Sequence, residues 1–113
     1  RFSYVFLYDS DSGTHTSTEI TTGVLKLQTA QSSGTWVSAA RDSDTTITQA
    51  YLVVVGETLT GAAYQVSADD GFSYQAIQNK ERITFSATGK KLRIKVTLSD
   101  TNCQINSLAV LYK

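Results

Sequence analysis

The chain of 113 residues has no proline and no methionine, and it contains one cysteine, one histidine and one tryptophan. A lone thiol has no intramolecular partner, so Cys103 excludes an internal disulfide and is expected to be a small buried hydrophobe. No apolar run approaches the roughly 18 residues of a membrane-spanning helix, so we expect no membrane insertion. The ten basic and ten acidic residues cancel, which argues against nucleic acid as a partner.

Two further absences concern the start of the chain. It begins at Arg1 rather than at methionine, and it shows no signal peptide. The length fits one domain with a core of its own. We therefore expect residues 1–113 to be a single module cut from a longer polypeptide.

What the chain does contain favours strands. Val, Ile, Thr, Tyr and Phe dominate, and no leucine-rich stretch has helical spacing. Turn signals recur about every 8–12 residues. The predicted strands are 2–8, 24–28, 35–40, 47–55, 62–67, 73–77, 82–87, 91–99 and 105–112, with a polar loop at 9–18 and turns at 41–44 and at Gly89. This spacing predicts an all-β, two-sheet antiparallel β-sandwich.

Two of these segments predict which faces are buried. Five consecutive bulky residues from Tyr51 to Val55 indicate an interior strand that is covered on both faces. The segment after Gly89 alternates instead, which places every second residue on the same side. Its inward set is Leu92, Ile94, Val96 and Leu98, and its outward set is Lys91, Arg93 and Lys95.

The stretch from Ser67 to Tyr74 reads Ser-Ala-Asp-Asp-Gly-Phe-Ser-Tyr and resembles the Asp-box turn of sialidase-type propellers. Asp69 can accept hydrogen bonds from backbone N–H groups of the turn, and Gly71 can adopt the positive φ that the turn requires. Ser67, Asp69 and Gly71 are therefore expected to form a structural turn without a metal. A single such turn does not indicate a propeller, which needs several blades.

Catalytic and metal-binding patterns are weak. The only histidine, His15, lies in a Thr/Ser/Gly stretch without a triad pattern, and the acidic residues fall in or beside predicted turns. The segment Asp9-Ser10-Asp11-Ser12-Gly13, with Glu19 beyond it, faintly resembles a calcium loop, but its glycine and glutamate are each one position early. We expect no enzymatic activity and no cofactor, with calcium as the alternative.

Five residues are candidates for ligand binding. Trp36, Phe72 and Tyr74 could stack on a sugar ring if they are exposed, although core burial is the competing interpretation for Trp36. Arg93 and Lys95 could contact an anionic sugar or a neighbouring subunit, and a solvated strand face is the alternative.

The second half of the chain resembles the galactose-binding-like jelly roll of discoidin domains and carbohydrate-binding modules. The matching segments, in order, are Ile47–Val55, Tyr64–Tyr74, Lys91–Leu98 and Ile105–Val110. The segments Phe85–Leu98 and Ser107–Tyr112 are also similar to modules of bacteriophage tail-fibre and tail-associated proteins. This resemblance implies an extracellular virion module in particle structure or host-surface attachment. Its partners would be copies of itself, other virion proteins or a cell-surface glycan. The alternative is a carbohydrate-binding module of a secreted bacterial enzyme.

Overall fold

A computed structural model describes residues 3–6 and 13–113. All of the regular secondary structure within these residues is β-strand. The ten strands are β1 (Ser3–Phe6), β2 (Thr14–Thr16), β3 (Thr18–Thr21), β4 (Val24–Leu27), β5 (Gly34–Val37), β6 (Arg41–Val55), β7 (Ala62–Ser67), β8 (Gln75–Ile77), β9 (Arg82–Leu98) and β10 (Ser107–Tyr112). Phe2, Leu7 and Tyr8, which were assigned to the first strand, lie outside the described residues. In the described part of the chain, no helix could cross a bilayer.

Eight strands form one curled antiparallel sheet in the order β1-β10-β6-β9-β5-β2, with β7 and β8 joined to it at β9. The first half of β9 pairs with β6, and its second half lies between β5 and β7. The long strand therefore divides the sheet into two parts. Sheet A contains β1, β10, β6 and the first half of β9, and sheet B contains β2, β5, the second half of β9, β7 and β8. The prediction of an all-β sandwich is confirmed, and β3 and β4 form a small additional sheet.

A single hydrophobic core is formed by residues of both sheets. The alternation predicted for β9 is confirmed, because Leu92, Ile94, Val96 and Leu98 are all fully buried. They pack in one cluster with residues of β6, β7 and β10, including Leu52, Val66 and Val110. Cys103 is also fully buried, as predicted.

The central strand β6 differs from the prediction in one respect. It lies between β10 and β9, so the interior position is confirmed. Covering of both faces is wrong: Leu52 and Val54 are buried, whereas Tyr51 and Val53 are half-buried and Val55 is 55% exposed. In a two-sheet sandwich each sheet buries only one face, so an unbroken apolar run still alternates between core and surface.

The side chain of Asn79 extends the pairing of β6. On one side, Val54 lies opposite Leu108 of β10. On the other side, β6 has no strand neighbour at Val54, because β9 begins only at Arg82. Asn79 Oδ1 accepts a hydrogen bond from Val54 N–H at 2.8 Å, and Asn79 Nδ2 donates to Val54 O at 3.0 Å. The amide group thus substitutes for one residue of a neighbouring strand.

Part of the predicted polar loop at 9–18 is wrong, because residues 14–16 and 18 lie in two short strands, whereas residues 9–12 lie outside the described residues. β2 pairs with β5, and β3 pairs with β4, with Ser17 between them at φ 59°. The Thr- and His-containing strands lack the apolar alternation that identifies strands in sequence. They form strands because they pair with β5 and β4, whose apolar residues are buried.

The predicted turns at 41–44 and Gly89 are wrong, since both lie inside long strands. Arg41 pairs with Leu92 and Asp42 with Lys91, so charged residues continue β6 beyond the core. Gly89 does not form a turn but lets the backbone at Ala68 approach closely, because a Cβ at this position would clash with the carbonyl oxygen of Ala68.

Candidate functional site

The turn between β7 and β8 is organised by the hydroxyl of Ser67, which is fully buried. Ser67 Oγ donates to Asp69 Oδ1 at 2.7 Å and accepts from the N–H groups of Asp69 (3.2 Å) and Gly71 (2.8 Å). Asp69 Oδ1 also accepts from the N–H of Ser73 at 2.8 Å. Gly71 has φ 86°, and the residue before it, Asp70, has φ 64°. The turn is therefore held by side-chain to backbone hydrogen bonds.

These contacts also define the charge state of Asp69. The Ser67 hydroxyl, opposed by partial desolvation and assisted by the Ser73 N–H, holds the pKa of the Asp69 carboxyl below its ordinary value. The carboxylate is thus the form that stabilises the turn.

Replacing Asp69 by alanine is expected to lower the free energy of unfolding by about 0.5–2 kcal/mol at neutral pH, the range for losing a side-chain acceptor that caps backbone donors. Because the folded pKa lies below the unfolded one, this contribution is present above pH about 4 and disappears as the pH falls through the folded pKa. Urea unfolding of both proteins from pH 7 to pH 2 measures the difference. If the difference in free energy of unfolding between the two proteins stayed constant across this pH range, the carboxylate would have no role in stabilising the turn.

The turn is attached to β9 by backbone and side-chain contacts. The N–H of Lys91 donates to Ala68 O at 3.2 Å, and the N–H of Asp70 donates to Lys91 O at 3.0 Å. Arg93 Nε donates to Asp70 Oδ1 at 2.8 Å, and Arg93 Nη1 donates to Ser38 O at 2.9 Å. The guanidinium therefore connects the turn, β9 and the end of β5.

Tyr74 lies at the centre of a group of side chains that we call the Tyr74 cluster: Asp70, Gly71, Tyr74, Arg93 and Lys95. Lys95 Nζ lies 5.7 Å from the centroid of the Tyr74 ring, within the range of a cation–π interaction. A Cβ on Gly71 would lie 3.1 Å from Tyr74 Oη and 3.4 Å from Arg93 Cδ, so the turn passes close over both. Burial, partly opposed by Arg93, raises the pKa of Tyr74, which keeps its hydroxyl protonated at neutral pH.

The cluster borders the outward face of sheet B. Residues directly opposite each other in paired strands share a face. Val37 and Gln65 lie directly opposite Lys95, and the registers place further outward residues on the same face: Thr14, Thr16, Thr35, Ala63, Ala76 and Thr97. Hydroxyl, amide and methyl groups thus form a largely uncharged surface beside one aromatic ring.

On another side of Tyr74 there is a hollow of about 180 Å³ between β8 and the first half of β9. Its lining residues are Ser73, Tyr74, Gln75, Phe85, Ser86 and Ala87. The Gln75 amide is already bonded, since Nε2 donates to Thr84 O at 3.0 Å and Oε1 accepts from Ser86 N–H at 3.1 Å. The Ser73 side chain is bonded to Asp69, so the Ser86 hydroxyl and the Tyr74 ring remain as the groups that a ligand could contact.

The structure brings three of the five ligand-binding candidates together. Tyr74, Arg93 and Lys95 meet in the cluster, whereas Phe72 lies at the tip of the turn and is 92% exposed. Trp36 as a sugar-stacking residue is wrong, because its side chain is fully buried and presents no ring face to a ligand. Gly13 covers it, at a position where a Cβ would lie 2.7 Å from Trp36 Nε1.

The calcium alternative stays a prediction, because most of its proposed loop lies outside the described residues. Asp9, Ser10, Asp11 and Ser12 lie outside them. Glu19 Oε2 accepts a hydrogen bond from Thr21 Oγ1 at 3.1 Å. Among residues 13–113, His, Cys, Asp and Glu side chains nowhere form a group of three that could hold a metal ion.

His15 is part of a structural contact rather than a reactive site. Its Nδ1 lies 2.8 Å from Thr18 Oγ1, and the Thr18 hydroxyl donates to Thr35 O at 2.8 Å. Because that hydroxyl proton is directed to a carbonyl group, Nδ1 is the donor to Thr18 and does not act as its base. Thr18 is 1% exposed, and partial burial lowers the pKa of His15.

Two residues of the site escaped the sequence analysis. Ser38 accepts from Arg93 through its carbonyl, and its Oγ accepts from Ile94 N–H at 3.0 Å. Gln75 bridges β8 and β9. Neither belongs to a motif, and only the register between distant strands places them near the Tyr74 cluster.

Comparison with known proteins adds no further assignment. Neither a protein family model nor a curated protein matches the chain.

Proposed function

We propose that the domain is a non-enzymatic attachment module of a virion protein that binds a cell-surface glycan at the Tyr74 cluster. The observation that carries the proposal is the position of Lys95 Nζ beside the half-buried Tyr74 ring, next to a polar sheet face. An aromatic ring with nearby polar groups is the combination that sugar sites use. The virion context rests on the resemblance of residues 85–98 and 107–112 to tail-associated modules.

The charges of the cluster favour a sugar that carries a carboxylate. Arg93 is already bonded to Asp70 and Ser38, so its charge is largely matched within the protein. Lys95 has the Tyr74 ring as a neighbour and, among the described residues, no carboxylate within salt-bridge distance. The ammonium group is therefore the one cation of the cluster that is available to an anionic ligand.

The absence of catalytic pairings in the described residues supports a binding role. The hydroxyl of Thr18 is buried and bonded to Thr35, so His15 has no nucleophile to activate there. The carboxylate of Asp69 is bonded within the turn, and that of Asp70 is bonded to Arg93. Binding without chemical conversion is also what the alternative, a carbohydrate-binding module of a secreted enzyme, would require.

The proposal is tested by titrating the protein with oligogalacturonates and, in parallel, with the matching neutral galactose oligomers. We expect saturable binding of the acidic series that weakens as salt screens the Lys95 charge. Tyr74→Ala should abolish binding, and Lys95→Gln should reduce the preference for the acidic over the neutral series. Isothermal titration calorimetry measures both effects.

Lys90→Gln is the matched control, because Lys90 is an exposed cation outside the cluster. It should bind the acidic oligomers as the unchanged protein does. Folding of every variant is checked by NMR. Failure of a glycan array to show any saturable ligand, or unchanged affinity in folded Tyr74→Ala, would reject the Tyr74 cluster as the site.

A further inference from the structure

The strand β2 lies at one end of sheet B and has few contacts that hold it there. Within the described residues its strand neighbour is β5, and the two are joined by three residue pairs, from Thr14–Val37 to Thr16–Thr35. Short edge strands open at a lower free energy than strands in the middle of a sheet. A side-chain contact that fastens β2 therefore has a large influence on whether the strand stays attached.

The side chain of His15 makes such a contact. His15 lies opposite Trp36, and residues directly opposite each other share a face, so the imidazole lies on the core side of β2. Its Nδ1 donates to Thr18 Oγ1 at 2.8 Å, and the buried Thr18 hydroxyl donates in turn to Thr35 O of β5. His15 thereby connects β2, through the first residue of β3, to β5.

An additional proton on this ring would have to bind at Nε2. Nδ1 already carries the hydrogen that it donates to Thr18. Among the described residues, Nε2 has no hydrogen-bond acceptor. The His15 ring is half-buried, and its centroid is 6.3 Å from that of Trp36, beyond the distance of about 6 Å at which an aromatic face stabilises a cation. Burial accordingly lowers the pKa of His15.

The elements around His15 provide no charge that would stabilise an imidazolium, as far as the structure describes them. β5 has no ionisable side chain. In β3, β4 and the second half of β9, each charged residue alternates with core residues and lies on the opposite face. These residues are Glu19, Lys26, Arg93 and Lys95. The neutral imidazole is therefore the form that the attached strand favours.

We propose that protonation of His15 in mild acid releases β2 from β5 and uncovers Trp36. In detached β2 the imidazole is solvated and has its ordinary pKa of about 6.5. The detached form therefore binds the proton more tightly, so attachment is strongest above about pH 6.5 and weakens as the pH falls toward the lower pKa of the attached form. For each unit by which attachment lowers the pKa, the detached fraction in acid rises about tenfold.

Release of β2 would change the surface at two places. The edge of β5 would lose its neighbour, and an unpaired edge can take up a strand of another chain. The indole of Trp36 would lose the cover of Gly13, the residue directly before β2. This switch does not depend on the proposed glycan binding.

Hydrogen exchange followed by NMR between about pH 7.5 and about pH 5 tests the switch. The readouts are the protection factors, corrected for intrinsic exchange rates, of the β2 amides, of the Trp36 indole N–H and of the amide of Val110 in sheet A. We expect acidification to lower the first two and to leave Val110, a buried residue of β10, unchanged. Titration of the ring in the same protein should give His15 a pKa below about 6.5.

His15→Asn is the matched control, because its amide can donate to Thr18 in place of Nδ1 and does not titrate. It should keep the same protection factors at both pH values, and His15→Gln takes its place if it does not fold. Equal loss of protection in the control, loss that extends to Val110, or unchanged protection in the natural protein would each overturn the proposal. A pKa of His15 at or above about 6.5 would overturn it without any variant.

Discussion

Replacing Trp36 by alanine is expected to lower the free energy of unfolding by about 3–5 kcal/mol. The side chain is fully buried and is the largest of the buried core residues, so truncation removes its packing and leaves a cavity. Small domains have a total stability of about 5–15 kcal/mol, so the variant should be close to unfolding. Urea denaturation followed by far-UV circular dichroism measures the loss, since the variant lacks the only tryptophan.

Phe72→Ala provides the matched control, because it truncates an aromatic residue that is almost fully exposed. It should change stability by no more than about 0.5 kcal/mol. A loss below about 1 kcal/mol for Trp36→Ala would mean that the indole is not in the core, and would restore it as a candidate for sugar stacking.

Asn79→Ala is expected to cost about 2–4 kcal/mol. Its amide satisfies both backbone groups of Val54, a residue that is 3% exposed, and each buried backbone group left without a partner costs about 1–3 kcal/mol. Asn79→Asp should lose only the bond to Val54 O, because a carboxylate accepts but does not donate. Lowering the pH through the titration of that carboxyl should recover part of the loss, since the protonated acid can donate again.

Asn106→Ala is the control of the same residue type, since Asn106 is exposed. Its effect should stay within about 0.5 kcal/mol. Equal effects of the two alanine variants in urea denaturation would show that Asn79 does not substitute for a strand neighbour.

The strands that could be predicted from sequence are those whose burial leaves a periodic trace. Alternation from Lys91 to Leu98 identified the inward side of β9, because the pleat places every second side chain in the core. β2 and β3 leave no such trace, since their outward and edge positions tolerate Thr and His. Gly89 was misread because a glycine that admits a neighbouring backbone looks the same in sequence as one that allows a turn.

The candidate site was predictable only in its local part. The residues of the Ser67–Tyr74 turn are close in sequence, and each type has a reason that a turn provides. The contact of Lys95 with Tyr74 depends on the register of β7 against β9 and of β7 against β8. The burial of Trp36 depends on what covers it from both sheets. Neither register nor coverage can be read from residue types alone.

Pairing of the first strand with the last has a consequence for how the chain folds. Ser3 lies opposite Tyr112, and Phe6 opposite Ala109, so partners more than a hundred positions apart must meet to complete sheet A. Closing so long a loop is costly in entropy before any contact compensates for it, which slows folding. During synthesis β1 leaves the ribosome about a hundred residues before its partner β10. The edge of β10 that β1 covers is therefore formed only when almost all of these residues are available. Until then β1 has no partner and is an unpaired strand with which other chains could pair.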